Sequence, residues 1–465
     1  MRNHFPGAKL LAMRRKFFWL ACAVLAALPA ASQNRSAKAQ PIRHVIVISV
    51  DGLIPASYVE PDKHGLKVPT LRQLAQTGLM SDGAESVFPT LTYPAHTSIA
   101  TGTNPGTHGI VGNEILDPEN RNQRGWRWYA EDIRVPTLWD AARERGLRTA
   151  LVNWPVTVGA KATAILPEYW RAGIREDLKL VRALSTSGLM QAVTRRFPDF
   201  EERFSPPQPQ DSSVVDVAVH LIETQQPHLL LLHLVNVDSA HHRAGVFTPE
   251  AKAAIEAADA QIARVIEAAK KARIWSRTAL VVASDHGFAA FQQRLRLGVY
   301  VAQRGLVRLD DRERVTDWKA AVLPMHGLAY IYLKDPADEE TRRELQDLFQ
   351  VMSGKHGSGI QRVYLPEEIR KLGGDPEAAL AVGAVQGFDF ASGYSGDVFF
   401  PAGSLAGHGY DPRYASMKAS LLMVGPGIAP GKLENARLID IAPTVAQWLG
   451  LKLEKAEGKP LTAGR

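Results

Sequence analysis

The strongest constraint on the fold is a series of short, uninterrupted apolar runs that recur along the chain. They lie at residues 44–50 (HVIVISV), 148–153, 228–237 (HLLLLHLVNV), 278–283 (TALVVA) and near 420–424. Continuous rather than alternating hydrophobicity is typical of strands covered on both faces, as in a parallel sheet flanked by helices. Residues 249–273 place Ala, Ile and Val at helical spacing after Pro249, which predicts a helix. We therefore predict an α/β fold with a mostly parallel central sheet.

Residues 1–39 have the pattern of a secretory signal peptide. Arg14-Arg15-Lys16 precedes an apolar run at 17–30, and Ala37-Lys38-Ala39 fits a cleavage site. This run is too short for a membrane span, and no later run is long enough, so we expect an exported, soluble protein that is periplasmic or secreted. The arginine pair also fits a twin-arginine signal, but chance pairs are common in such segments, which favours the general secretory route.

Removing this segment changes what the composition implies. It contains seven of the 55 Lys and Arg residues and none of the 48 Asp and Glu residues. Residues 40–465 are therefore formally neutral, and nothing in their charge predicts binding to a nucleic acid duplex. The single cysteine, Cys22, also lies in the segment, so the remainder is stabilised without disulfides.

Two stretches interrupt the regular recurrence of the apolar runs, at about 161–213 and 291–404. We interpret both as insertions into one domain that spans 40–465. They are expected to cover the carboxyl edge of the sheet, where open α/β sheets bind their ligands.

Acidic and imidazole side chains follow the apolar runs. They are Asp51, Asp238, His242, Asp285, His286 and, in the segment GHGY, His408. The carboxyl ends of parallel strands meet at one edge of a sheet, so these side chains are expected to converge. Three carboxylates and three imidazoles supply enough oxygen and nitrogen donors for two divalent metals. A single Asp after a strand is usually a helix cap, but the four runs together predict metal-assisted chemistry. The sequence leaves His326 open between a core residue and a substrate contact.

The segment VFPTLTYPAHTS at 87–98 brings several hydroxyls to the start of a predicted helix. Such a hydroxyl is usually a cap. Beside a divalent metal it can instead be a nucleophile, because the metal lowers its pKa and the helix dipole favours negative charge. Downstream, Asn113 carries an amide suited to donate a hydrogen bond to a phosphate oxygen.

These motifs resemble those of the nucleotide pyrophosphatase/phosphodiesterases of the alkaline phosphatase superfamily. The resemblance runs from Val45 to about Gly450 through VISVDG, FPTLTYPAH, HGIVGN, NWP, DSAHH, SDHGF, HGYDP and DIAPT. It implies an alkaline phosphatase-like three-layer α/β/α fold with cap insertions and two Zn²⁺ ions per chain. One ion is expected at Asp238, His242 and His408, and the other at Asp51, Asp285 and His286 with Thr92. The resemblance also implies that Thr92, rather than Thr90, is the nucleophile and that Asn113 contacts the phosphate.

The resemblance is weaker in the substrate pocket. Tyr93 and Trp154 match pocket aromatics of the family. Leu91, however, replaces a lysine that many members have between the two threonines, and Val156-Thr157 replaces a Gly and an acid after Trp-Pro. The resemblance therefore does not extend to base recognition like that of the best-known members. Trp128 is a further stacking candidate, although aromatics of this kind are usually core residues.

We therefore expect an exported, zinc-dependent hydrolase of phosphodiester or pyrophosphate bonds that acts on a small-molecule phosphate ester such as a nucleotide, through a phosphothreonine intermediate. One alternative is a phosphate monoesterase, which is disfavoured because it calls for additional cationic groups at the phosphate and no Lys or Arg adjoins the motifs strongly enough to be nominated. A second is a phosphonate or phospholipid head-group hydrolase. A sulfatase is disfavoured because its Cys or Ser nucleophile motif is missing. A binding protein without activity is disfavoured because every predicted ligand and the nucleophile are present.

Overall fold

The computed structural model describes residues 41–122, 125–205 and 209–462. The predicted signal peptide and part of the Pro-rich segment at 205–209 lie outside these ranges. The strands are β1 (His44–Val50), β2 (Leu79–Ala84), β3 (Thr149–Val152), β4 (Ala164–Leu166), β5 (Leu229–Leu234), β6 (Thr278–Ala283), β7 (Ala289–Leu295), β8 (Val307–Leu309), β9 (Val315–Trp318), β10 (Ala320–Met325), β11 (Leu328–Leu333), β12 (Ile360–Tyr364), β13 (Leu380–Ala384), β14 (Phe388–Phe390), β15 (Phe399–Gly407), β16 (Ala419–Val424) and β17 (Gly431–Lys432).

The helices are α1 (Ala56–Val59), α2 (Pro69–Thr77), α3 (Thr92–Thr101), α4 (Pro105–His108), α5 (Leu138–Glu144), α6 (Asp177–Leu184), α7 (Leu189–Arg196), α8 (Phe200–Arg203), α9 (Asp211–Gln225), α10 (Asn236–Ala244), α11 (Pro249–Lys271), α12 (Leu297–Gln303), α13 (Glu339–Ser353), α14 (Pro366–Lys371) and α15 (Ile441–Leu449). The predicted helix at 249–273 corresponds to α11, which begins at Pro249. Thr248 caps its N-terminus, because the Thr248 side chain accepts a hydrogen bond from the Ala251 amide.

Within the described ranges, eight strands form the central sheet in the order β17-β2-β16-β6-β1-β5-β3-β4. β1 lies between β5 and β6 and pairs with both in parallel, and β3 and β4 continue the parallel part toward one edge. The predicted strands at 44–50 and 278–283 are confirmed at those bounds. The prediction of a mostly parallel sheet is also confirmed.

The two faces of β1 belong to separate cores, which explains its continuous apolar sequence. Ile46, Ile48 and Val50 pack with side chains of α2, α9 and α11. Val45 and Val47 pack on the other face with side chains of α3, α5 and α15. Because burial of each large aliphatic side chain contributes roughly 1.5–3 kcal/mol, both faces stabilise the sheet. The result is the predicted three-layer α/β/α arrangement.

One strand departs from the parallel direction. β16 is antiparallel to both β6 and β2, although its six residues are all buried and its sequence is as continuously apolar as that of β1. A continuous apolar run indicates that both faces of a strand are buried. It does not indicate the direction of the strand in the sheet, which depends on the connections before and after the strand.

The two predicted insertions differ in structure. Residues 291–404 contain the antiparallel sheet β10-β11-β13-β12 and most of the sheet β14-β7-β15, which share a core of their own. Residues 161–213 contain α6, α7 and α8, but they also contain β4, which belongs to the central sheet. No helix in the described part of the chain combines the length and hydropathy needed to cross a membrane.

Candidate active site

The central strands deliver three carboxylates to one edge of the sheet. Asp51 directly follows β1, Asp285 lies two residues after β6, and Asp238 lies in the first turn of α10, which follows β5. Because β6, β1 and β5 are neighbouring parallel strands, their carboxyl ends meet. The structure therefore brings together the acids that the sequence pattern predicted to converge.

Asp51, Asp285 and His286 form the group that we call the inner site. Their ligand atoms lie within 4.8 Å of one another. The Nε2 atom of His286 is 3.4 Å from Asp51 Oδ1 and 3.1 Å from Asp285 Oδ2. The Thr92 hydroxyl lies 3.5 Å from the same Nε2 atom, so the predicted nucleophile adjoins this site.

Asp238, His242 and His408 form a second group, the outer site. Asp238 Oδ1 lies 3.4 Å from His242 Nε2 and 3.8 Å from His408 Nε2. Asp238 and His242 share one face of α10 because they are four residues apart, and His408 follows β15. The rings of His286 and His408 stack with centroids 3.6 Å apart, so the two sites adjoin.

Each predicted carboxylate ligand has one buried oxygen that makes no hydrogen bond, although a histidine Nε2 lies within 3.4 Å of it. These atoms are Asp51 Oδ1, Asp238 Oδ1 and Asp285 Oδ2, and none has a hydrogen-bond partner among the described residues. The second oxygen of Asp285 accepts from the Gly52 amide at 3.0 Å, and that of Asp51 lies 3.1 Å from His233 Nε2. Because an unpaired buried carboxylate oxygen is costly, the arrangement fits cations that bind at these atoms.

The three imidazoles are oriented by the backbone. The Nδ1 atom of His242 lies 3.0 Å from the Ala406 carbonyl, that of His286 lies 3.2 Å from the Gly287 carbonyl, and that of His408 lies 2.9 Å from the Thr90 carbonyl. A ring nitrogen that bonds to a carbonyl carries the proton, so Nε2 is left as a metal donor. Oxygen and imidazole donors in this number suit two divalent transition metals such as zinc.

The electrostatic environment of the site also favours a bound cation. Burial and the neighbouring carboxylates of Asp285 and Asp238 raise the pKa of Asp51 well above its usual value. Burial and nearby imidazoles lower the pKa of His408 well below its usual value, which keeps the ring in the neutral form that binds metals. Burial opposes the charge of Asp238, but His242 outweighs it and lowers the pKa of Asp238 to about 2.

Of the two threonines in the motif, only Thr92 faces the inner site. Thr92 is the first residue of α3; the residue is 8% exposed, and its hydroxyl lies 3.5 Å from His286 Nε2. Thr90 is fully buried, and its hydroxyl donates to the Tyr410 carbonyl at 2.8 Å. The geometry thus distinguishes two hydroxyls that the residue pattern alone left equivalent.

Asn113 lies against the start of the same helix. Its Oδ1 atom accepts from the Tyr93 amide at 2.9 Å. This bond fixes the side chain beside Thr92 and leaves the Nδ2 hydrogens as the donors available to a ligand.

A cavity of about 300 Å³ adjoins Thr92 and Asp51, and its aromatic wall consists of Trp126 and Trp170. Glu168 and Asn153 also line it. A second cavity of about 280 Å³ adjoins Asn113 and shares Trp126 with the first.

The structure places Tyr93 and Trp154, the predicted pocket aromatics, in the core beneath the cavity. Both side chains are fully buried. The Tyr93 hydroxyl donates to Glu168 at 3.2 Å, and Trp154 packs edge-on against His96. Trp128 is also buried. The described residues that line the cavity thus include Trp126 and Trp170 rather than Tyr93 or Trp154, and Tyr93 packs edge-on against Trp126.

Sequence reasoning missed a buried network behind the inner site. His233 lies 3.1 Å from Glu168 through Nδ1 and 3.1 Å from Asp51 through Nε2. Burial opposes a charge on His233, but its bonds to the two carboxylates raise its pKa well above the usual value. The one signal in the sequence was an imidazole inside the otherwise apolar run HLLLLHLVNV, which has no partner nearby in the chain to suggest its role.

Comparison with known proteins finds similarity to phosphodiesterases and pyrophosphatases throughout. The family described as type I phosphodiesterase / nucleotide pyrophosphatase matches residues 45–411. Human ectonucleotide pyrophosphatase/phosphodiesterase family member 1 is 23% identical over 252 residues, or 52% of this chain and 23% of that protein. A Schizosaccharomyces pombe pyrophosphatase/phosphodiesterase, itself uncharacterized, is 28% identical over 53% of this chain and 44% of that protein. The match thus spans less than half the length of both relatives.

Longer matches exist with family member 5. The human protein is 22% identical over 401 residues, which cover 83% of this chain and 71% of that protein. The structure of an inactive variant of the murine protein in complex with AMP has a TM-score of 0.64 at 19% identity, and covers 90% of this chain and 100% of that one. At this identity the structural likeness establishes the fold.

Proposed function

The chain belongs to the type I phosphodiesterase/nucleotide pyrophosphatase family, and from this premise we propose that it is an exported, zinc-dependent hydrolase of nucleotide phosphodiester or pyrophosphate bonds. Thr92 is the proposed nucleophile. Attack of its hydroxyl oxygen on phosphorus expels the leaving alcohol or phosphate and forms a phosphothreonine, which water then hydrolyses to restore the hydroxyl.

The observation that carries this proposal is the set of three orphaned carboxylate oxygens beside the Thr92 hydroxyl. Asp51, Asp285 and His286 with Thr92 would hold one zinc ion, and the outer site would hold the other. Bound divalent zinc would lower the pKa of the hydroxyl and stabilise charge on the oxygens of the phosphoryl group.

The protein's own groups position the reaction. Thr92 presents its hydroxyl at the N-terminus of α3, where the helix dipole favours developing negative charge. Asn113, fixed by the Tyr93 amide, would donate a hydrogen bond through Nδ2 to a non-bridging phosphate oxygen. Both contributions exist before substrate binds, so little reorganisation is needed.

The cavity beside Thr92 supports a nucleotide ester as substrate. Trp126 and Trp170 offer flat apolar faces for a base, and the Glu168 carboxylate is an acceptor for amino or hydroxyl groups. Among the described residues that line this cavity there is no Lys or Arg, whereas a monoester dianion calls for extra cationic groups. This observation favours diesters. The murine relative's complex with AMP is consistent with a nucleotide ligand.

The test is a substrate panel with the metal content of each preparation measured. We expect thymidine 5′-monophosphate p-nitrophenyl ester and bis-p-nitrophenyl phosphate to be cleaved in strong preference to p-nitrophenyl phosphate. Thr92→Ala should lower kcat/KM for the diesters by ~10³-fold or more while it retains metal.

Thr90→Val is the matched control, because it keeps the shape of a neighbouring threonine that faces away from the site. It should change kcat/KM by less than about tenfold. Full activity in Thr92→Ala would refute the nucleophile, and a preference for the monoester would move the protein to the phosphatase alternative.

A further inference from the structure

His326 is an imidazole at the outer site that the proposed pair of metal sites does not use. Its ring nitrogen and those of His242 and His408 lie within 4.8 Å of one another. Its ring is 5.2 Å from that of His242 and 5.0 Å from that of His408. It reaches this place from the loop between β10 and β11, so it comes from a different sheet than the other ligands.

A buried carboxylate orients the ring. His326 Nδ1 lies 3.0 Å from Asp389 Oδ1, and the second oxygen of Asp389 accepts from Arg294 at 3.2 Å. Because a carboxylate paired with arginine is an acceptor only, Nδ1 carries the proton and Nε2 keeps its lone pair. A carboxylate-bound Nδ1 with a free Nε2 is the arrangement of metal-ligating histidines.

The backbone around His326 is fixed to the outer site itself. The Gly327 amide donates to the His408 carbonyl at 3.0 Å, and the Phe390 amide donates to the His326 carbonyl at 2.8 Å. His326 also has a φ of 58°, a left-handed conformation that non-glycine residues adopt at a cost and mainly at functional sites. A side chain at Gly409 would collide with the Met325 carbonyl, so the His408 loop and the His326 loop are in close backbone contact.

We propose that His326 is a fourth protein ligand of the outer metal, together with Asp238, His242 and His408. This inference rests on the proposed metal dependence. Four protein donors distinguish the outer site from a catalytic site with three donors and an open position. A substrate oxygen would then bind there only by raising the coordination number to five. The fourth ligand would therefore strengthen the hold of the outer site on its metal against chelation.

The first experiment counts imidazole ligands without an activity assay. Apoprotein is loaded with Co²⁺, and the exchangeable N–H signals shifted by the paramagnetic metal are counted by proton NMR. We expect four signals in the wild type, from His242, His286, His326 and His408, and three in His326→Asn. Asparagine suits the variant because it tolerates the left-handed backbone.

The second experiment measures affinity. We expect His326→Asn to lower the affinity for the outer zinc ion by about 10–100-fold in competition with a chelator, and Asp389→Asn by about tenfold. His356→Asn, at an exposed loop histidine, is the matched control and should change neither the affinity nor the signal count.

Three signals in the loaded wild type, or unchanged zinc affinity in His326→Asn, would overturn the ligand role of His326 and leave the proposed function intact. A wild-type protein that binds no Co²⁺ or Zn²⁺ would overturn both. Loss of the fourth signal in His326→Asn together with its weaker zinc binding would support the ligand role even if the enzyme proved inactive toward every diester.

Discussion

The inner and outer sites use the same kinds of donor but differ in how the chain encloses them. In the inner site the side chains of Asp51, Asp285 and His286 are 6%, 0% and 0% exposed. In the outer site His408 is also buried, at 3% exposed, but the side chains of Asp238 and His242 are 17% and 30% exposed. The inner site is therefore part of the protein core, whereas the outer site lies at the boundary with solvent.

The difference follows from the elements that build each site. The inner acids are anchored by neighbouring central strands, and Thr92 by a helix packed against them. The outer donors come from α10, the end of β15 and, by our proposal, the loop after β10. The central sheet therefore holds the inner site and Thr92, whereas the outer site also depends on β15 and on the loop after β10, which lie outside that sheet.

The largest effects should come from replacing one acid in each site, because each replacement removes a ligand of only one of the two metals. We expect Asp51→Asn to lose the inner metal and to lower kcat/KM for diesters by roughly 10³-fold, because metal stabilisation of several kcal/mol disappears at the nucleophile. Asp238→Asn should lose the outer metal and keep the inner one. Metal content per chain and diester kinetics check both results. If each variant lost both metals, the two sites would be one cooperative cluster.

The network of His233 and Glu168 behind Asp51 allows a second test of the difference between the two sites, with a smaller expected effect. His233→Gln removes the ring that lies between Asp51 and Glu168. We expect the inner metal to bind about 10–100-fold more weakly, as for other groups that orient a ligand, while the outer metal is unaffected. Chelator competition with metal analysis provides the measurement.

His108→Gln is a suitable control for that variant. His108 is also fully buried, but it bonds to Ser98 at 3.0 Å and belongs to none of the candidate metal-binding groups among the described residues. Equal weakening of the inner metal in this control would mean that any buried histidine beneath α3 has the same effect, and the specific role of His233 would be lost.

Much of the candidate metal centre was predictable because its signals are local. Asp51, Asp238 and Asp285 each follow a strand-like run within a few residues, so the rule that parallel strand ends converge was enough to bring them together. The roles assigned to them remain predictions. The direction of β16 was not predictable, because continuous hydrophobicity does not distinguish a parallel from an antiparallel strand.

The walls of the site were less predictable because they depend on contacts distant in sequence. Glu168 meets His233 across 65 residues, and Trp126 reaches the cavity from a loop without a periodic pattern. Tyr93 was predicted as a pocket residue because it matches a pocket aromatic of the family. Adjacent helical residues point in different directions, however, and the structure buries Tyr93 while it leaves the Thr92 hydroxyl at the site.

Trp126 lines both cavities, so its removal should affect recognition more than chemistry. We expect Trp126→Ala to raise KM for the thymidine ester roughly tenfold, in keeping with the loss of one base-stacking contact, with kcat little changed. Methyl p-nitrophenyl phosphate, which has no aromatic group on the retained side, should be cleaved as before. Trp128→Phe, at a buried neighbour, is the control and should leave both KM values unchanged.

The smallest effect should appear when metals are absent. In the metal-free protein, burial and like charges raise the pKa of Asp51 above its unfolded value. The folded state therefore holds this proton more tightly, and the free energy of unfolding falls as the pH rises from about 4 toward 7. Asp51→Asn removes that penalty and should stabilise the metal-free protein at pH 7.

Asp238→Asn should have the opposite sign under the same conditions. Although burial raises the pKa of Asp238, its ion pair with His242 lowers it to about 2, below the unfolded value. The charged form is thus stabilising at pH 7, and its contribution is lost as the pH falls through the folded pKa. Urea unfolding of both apo variants at pH 7 measures the contrast. Two shifts of the same sign would show that the inner and outer acids share one electrostatic environment.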